Sequence, residues 1–135
     1  MKTADSIIQI VAQVCSEYPE IVAAYLFGSA ARDDLRKKSD IDVAVLLDQP
    51  REKTFPLLSF ISSLDKILGC RVDVSVLNRS GELLKYEVRR TGKLIFERSP
   101  EVRKKFDILG RKTFEDFLYL HKRYVKAVLY RVENG

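Results

Sequence analysis

The sequence predicts one α/β (α+β) domain built on a small mixed β-sheet. Three observations lead there. Short apolar runs of β-leaning composition alternate with amphipathic stretches of helical period along 135 residues. The first run, 21–27, ends in the turn Gly28-Ser29. The second begins, ten residues later, with Asp40-Ile41-Asp42.

Each element has its own signal. Residues 6–16 carry Ile7, Ile8, Val11, Val14 and Cys15 at helical spacing and close before Pro19. Residues 21–27 form a buried strand that Gly28 ends. Residues 29–37, short, charged and Ala-containing, read as a small helix with Ser29 at its N-terminus. A second strand spans 40–47 and stops at Asp48-Gln49-Pro50. Residues 55–68 are helical, with apolar residues at 57, 58, 60, 61, 64, 67 and 68 and Gly69 at the end. Residues 71–77 alternate as a strand, 81–90 suggest a helix, and 93–96 a short strand. A long helix covers 100–132, crossed by Gly110. No internal repeat, low-complexity segment or linker interrupts this order. The expected organisation is an α/β core over 1–97 and a C-terminal helical extension over 98–135 packed on the same domain.

Composition sets the broad class. The chain is 46% hydrophobic and 32% charged, as suits a soluble globular protein with a substantial core. No apolar run approaches the roughly 20 residues that span a bilayer, and the N-terminus does not resemble a signal peptide. The expected location is cytoplasmic, with no membrane partner. Cys15 and Cys70 have neither CxxC spacing nor a nearby His, so both are expected as buried thiols. His121 stands alone in a basic helix and reads as a surface residue. Residues 1–78 carry nine Lys/Arg and eleven Asp/Glu, net −2; residues 79–135 carry fifteen and eight, net +7. The basic half is either a solvated helical face or a surface for acidic partners.

The carboxylates carry the chemistry. Side chains alternate along a strand, so Asp40 and Asp42 share a face with Cα atoms roughly 6.5–7 Å apart. Ala44 and Leu46 follow on that face; Ile41, Val43, Val45 and Leu47 fill the other. Two adjacent carboxylates repel unless a cation or proton lies between them. Magnesium suits such a pair, being a hard ion that keeps positions open for water and phosphate. Asp73, alone among Val72, Val74 and Val76, completes a three-carboxylate cluster if its strand pairs with 40–47. Such a cluster can hold two metals about 3.5–4 Å apart across an in-line displacement. For Gly28 and the aspartates to meet at one edge, the first strand must run antiparallel to the second. The second and third are then parallel, joined by a right-handed crossover through 55–68. Gly28 lets the backbone approach a phosphate, and Ser29 adds a hydroxyl and a helix-start amide. Arg32, one turn on, could steady a triphosphate or pair with Asp33 or Asp34. The competing reading makes the aspartates turn residues or ion-pair partners of Arg71 and Lys38.

Gly28-Ser29-Ala30-Ala31-Arg32, Ser39-Asp40-Ile41-Asp42-Val43 and Val72-Asp73-Val74 resemble the minimal nucleotidyltransferases of the DNA polymerase β superfold. More narrowly they are similar to the MNT-domain antitoxins encoded beside HEPN-domain toxins. The resemblance covers roughly residues 5–97. It implies metal ligands at Asp40, Asp42 and Asp73, with Asp73 also helping to activate the attacking hydroxyl. It implies nucleotide contacts at Gly28, Ser29, Arg32 and Ser39. The cofactors it implies are two magnesium ions, with ATP as substrate. The reaction it implies is transfer of AMP to a hydroxyl with release of pyrophosphate, the acceptor being a tyrosine of a partner HEPN toxin that is thereby silenced. Asp33 stands where such proteins commonly have Gly.

Of two apolar stripes on the long helix, one can cover the core and the other can be covered by a protein partner or a second copy of the chain, the alternative being that both are buried internally. One runs through Val102, Phe106, Leu109, Thr113, Phe117, Leu120 and Tyr124, the other through Phe114, Leu118, Val125 and Leu129. Competing functions are transfer to a small molecule, which usually needs an extra substrate domain, and neutralisation of a toxin by binding alone. Direct nucleic-acid binding has only the basic half in its favour.

Overall fold

The computed structural model describes residues 3–28 and 41–135. Helix α1 (Ala4–Ser16) starts where the Thr3 hydroxyl accepts the Ser6 amide at 3.1 Å. It buries Ile7, Val11, Val14 and Cys15, one stripe at helical spacing. Strand β1 (Ile21–Phe27) is buried along its whole length, as expected of a central strand covered on both faces. Strand β2 (Ile41–Leu47) follows, then a 3-10 turn over Gln49–Thr54 with Pro50 in its first positions.

Helix α2 covers Leu57–Leu68, two residues shorter at its start than the sequence pattern suggests. Pro56 is the reason: the residue before proline is driven to extended backbone, and Phe55 has φ −66° and ψ 123°. Gly69 ends the helix in the left-handed region at φ 66°. That turn carries Cys70 outward, so Cys70 is exposed and the expectation of two buried thiols fails for it; Cys15 is buried. Strand β3 (Val72–Val76), a short 3-10 turn (Leu77–Arg79), helix α3 (Glu82–Thr91), strand β4 (Lys93–Glu97) and helix α4 (Pro100–Asn134) complete the order.

The sheet order is β3-β2-β1-β4. β1 is antiparallel to β2 and to β4, and β2 is parallel to β3, the mixed arrangement that the carboxylate geometry requires. The two faces separate by strand alternation. Ile41, Val43, Val45 and Leu47 join the α1 and α2 residues Val11, Phe60 and Leu64 in one core. Ala44 and Leu46 join Tyr25, Phe27, Leu77 and Val88 in a smaller one, with Phe106 of α4 against it.

α4 is continuous through Gly110 and meets the domain by a face that crosses both stripes read from the sequence. Gly110 and Phe114 are buried, and Phe106 is half-buried, whereas Val102 and Leu109 of the first stripe are exposed. Beyond Phe114 the helix leaves the domain, and Leu118, Leu120, Tyr124, Val125 and Leu129 all stand in solvent. His121 is exposed there too, its ring stacked on Phe117. No helix among the described residues is long and apolar enough to cross a membrane.

Candidate active site at the β1–β2–β3 edge

β2 positions Asp42 by register on both sides. Its Cα partner on β1 is Phe27 and its Cα partner on β3 is Asp73. Neighbouring strands lie about 4.8 Å apart and residues in register project to one face. The register therefore sets Asp42 and Asp73 at adjacent positions, on the face that Ala44 and Leu46 continue. Gly28 follows Phe27 at φ 68°. A Cβ built on it would lie 2.6 Å from the Asp42 Oδ2. Any side chain here would displace the carboxylate, and the backbone conformation favours glycine independently.

Ser29, Arg32, Ser39 and Asp40, together with the helix expected over 29–37, lie outside the described residues. Of the seven site residues read from the sequence, the structure thus brings together Gly28, Asp42 and Asp73. The competing reading also finds support, since Arg71 Nε lies 3.4 Å from Asp73 Oδ1. The Arg71 side chain is exposed and that of Asp73 half-buried, and such partly solvated pairs contribute about 0–1 kcal/mol, too little to explain an aspartate on this strand.

The frame around the edge is hydrogen-bonded. Asp65 near the end of α2 accepts the Val72 amide at 3.0 Å, fixing the entry into β3. Asn78 accepts the Leu47 amide at 2.8 Å and donates to the Leu47 carbonyl at 2.9 Å, pinning the far end of β2. Tyr25, on the same sheet face, has its phenol pushed up to about 12, mainly by burial and next by the charge of Asp107.

Sequence reasoning missed the wall beside Gly28. Tyr86, Glu87, Arg90 and Thr91 of α3 line a recess of about 250 Å3 with Gly28. The excess of basic residues in the C-terminal half was its one trace in the sequence.

Two carboxylates at adjacent register positions, beside a glycine at positive φ, form the candidate site on this mixed sheet. The family model of the polymerase beta nucleotidyltransferases matches residues 9–101, and the chain belongs to that family. Protein adenylyltransferase MntA of Aphanizomenon flos-aquae is 29% identical over 94 residues, which cover 63% of this chain and 63% of the relative. The chain therefore matches a little under two thirds of that relative's length. Among solved structures, a toxin–antitoxin complex with AMP-PNP is similar with a TM-score of 0.73 at 20% identity, covering 90% of this chain and 98% of that one. A tri-AMPylated Shewanella oneidensis HEPN toxin in complex with MNT antitoxin gives a TM-score of 0.69 at 18% identity, covering 93% and 98%. At these identities the likeness to the solved structures is one of fold.

Proposed function

We propose that the chain is a magnesium-dependent adenylyltransferase that moves AMP from ATP to a hydroxyl of a partner protein and acts as the antitoxin of a HEPN toxin. The observation that carries this reading is the juxtaposition of Asp42, Asp73 and Gly28 at one sheet edge. The relative named a protein adenylyltransferase and the fold shared with toxin–antitoxin complexes support the substrate and the partner.

The donor set suits magnesium: Asp42 and Asp73 offer only carboxylate oxygens, the ligands a hard cation takes. Asp40, two residues before Asp42, is assigned as the third ligand. Bound there, magnesium supplies charge that offsets the negative charge developing on the phosphates. The chain's residues do the rest. Gly28 lets the main chain approach the polyphosphate, with Ser29, Arg32 and Ser39 assigned to the nucleotide. Asp73 takes the proton of the attacking hydroxyl. The acceptor oxygen then bonds the α-phosphorus, the bond to the bridging oxygen breaks, and pyrophosphate leaves. Residues 1–97 form the catalytic unit in this reading. Residues 98–135 form an extension whose exposed apolar positions suit a protein partner or a second copy.

Labelled ATP, magnesium and the product of the adjacent gene test the proposal. Transfer of AMP to that product is expected, on a tyrosine, and falling about a thousandfold or more in Asp42→Asn with Asp73→Asn (about 4 kcal/mol of barrier). Transfer that survives the double substitution would overturn the metal site. A tight complex with no transfer would show neutralisation by binding alone.

A further inference from the structure

α3 and α4 meet through a stack of Tyr86 on Phe114, ring centroids 4.3 Å apart and planes 15° from parallel. Arg89, Arg90, Arg111 and Glu115 close a cleft of about 280 Å3 around that stack. Tyr86 and Arg90 also line the recess that reaches Gly28, so the cleft and the carboxylate edge share a wall. None of the three arginines forms an ion pair among the described residues.

Two of the guanidinium groups, those of Arg89 and Arg90, rest on aromatic rings. Arg89 lies 5.9 Å over the Phe114 ring and Arg90 5.8 Å over Tyr86. Gly110 is buried beneath Arg89: a Cβ there would meet Arg89 Nη1 at 2.6 Å. The lone glycine inside α4 thus makes room for one of the cleft's cations.

The chemistry of the cleft selects its ligand. Base recognition on single strands needs aromatic faces free for stacking. Here Tyr86 carries Phe114 and Arg90, and Phe114 carries Tyr86, Phe117 and Arg89. What stays available is three planar guanidinium groups against the single carboxylate of Glu115, a net positive set of donors whose geometry matches carboxylates.

We propose that this cleft docks the acceptor: an acidic polypeptide segment lays its carboxylates on Arg89, Arg90 and Arg111, presenting a neighbouring hydroxyl at the Gly28–Asp42 edge. This rests on the protein-acceptor reading above, but binding can be measured without catalysis. The probe is a fluorescein-labelled peptide of six glutamates around a central tyrosine, followed by anisotropy in the absence of ATP. The intact chain is expected to bind it. Arg89→Gln, Arg90→Gln and Arg111→Gln together are expected to weaken binding at least tenfold. Lys53→Gln, Lys66→Gln and Lys126→Gln remove the same charge elsewhere and are expected to change it less than twofold. Gly110→Ala changes no charge, favours the helix and displaces Arg89; it is expected to weaken binding severalfold. Binding lost equally in the lysine variant would reduce the cleft to net charge and overturn the proposal. So would unaltered binding in the arginine variant, or a single-stranded oligoadenylate of similar charge binding more tightly through the same arginines. Retained peptide binding without any AMP transfer would instead count against the enzymatic reading alone.

Discussion

The two faces of the sheet are built to different standards. The face under α1 and α2 is filled by branched and aromatic side chains, with Val11, Phe60 and Leu64 wholly excluded from water. Tyr18, Phe55 and Phe60 add edge-on ring contacts there, at 5.2 Å for Tyr18–Phe60. The face under α3 and α4 has Ala23 and Ala44 at its centre and half-buried charges at its border. There Arg103 bridges Glu97 and Asp107. Asp42 and Asp73 belong to this second face. Stability is concentrated on one side of the sheet, and the groups able to do chemistry lie on the other. The carboxylates can repel one another because the opposite face holds the strands that position them.

The comparison can be broken at several points. Phe60→Ala should destabilise the fold by about 3–5 kcal/mol, measured by denaturant unfolding, because the surrounding rings cannot fill the cavity. A loss below about 1 kcal/mol would mean that the α1–α2 face does not dominate stability. Gly28→Ala should cost about 2 kcal/mol through its positive φ. Its larger effect should be on nucleotide transfer, since the new methyl displaces the Asp42 carboxylate. An unfolding loss with transfer intact would separate Gly28 from the site.

Alkaline pH sharpens the contrast with the smallest effect. Burial pushes the Cys15 thiol from 9.0 up to about 12. Between those values the unfolded chain has lost a proton that the folded chain keeps, so stability falls as pH rises, by up to about 1.4 kcal/mol per unit. Tyr25 adds the same sign between 10.0 and about 12. Cys15→Ala should remove the part of the slope that begins near pH 9, leaving the Tyr25 part. A slope unchanged by that substitution would place the titration elsewhere.

The sequence made the strands legible because each one is a local pattern. β1 ends where Gly28 follows, and the faces of β2 are assigned by alternation alone. Asp42 beside Asp73 was legible for the same reason, as two period-2 patterns with one parallel register. What was not legible is non-local or depends on one neighbour. Pro56 moved the start of α2 through backbone sterics. Gly69 turned Cys70 outward, although the composition around it suggested burial. The inward face of α4 straddles two apolar stripes because Phe106, Gly110 and Phe114 follow the surface offered by α3 and β1, not the stripe of greatest hydrophobicity. The arginine cleft has no sequence signature, since Arg89 and Arg90 meet Arg111 only through helix packing.

α4 also sets a mechanical scale. Its 35 residues make a rod about 52 Å long. Only the first half is seated, so the last twenty residues form a free arm of about 30 Å. A tilt of about 10° at the Gly110–Phe114 seat would sweep the tip through about 5 Å. The contacts of Tyr86 and Arg89 with Phe114 lie at that seat, so the leverage of the arm is greatest where α3 packs on α4.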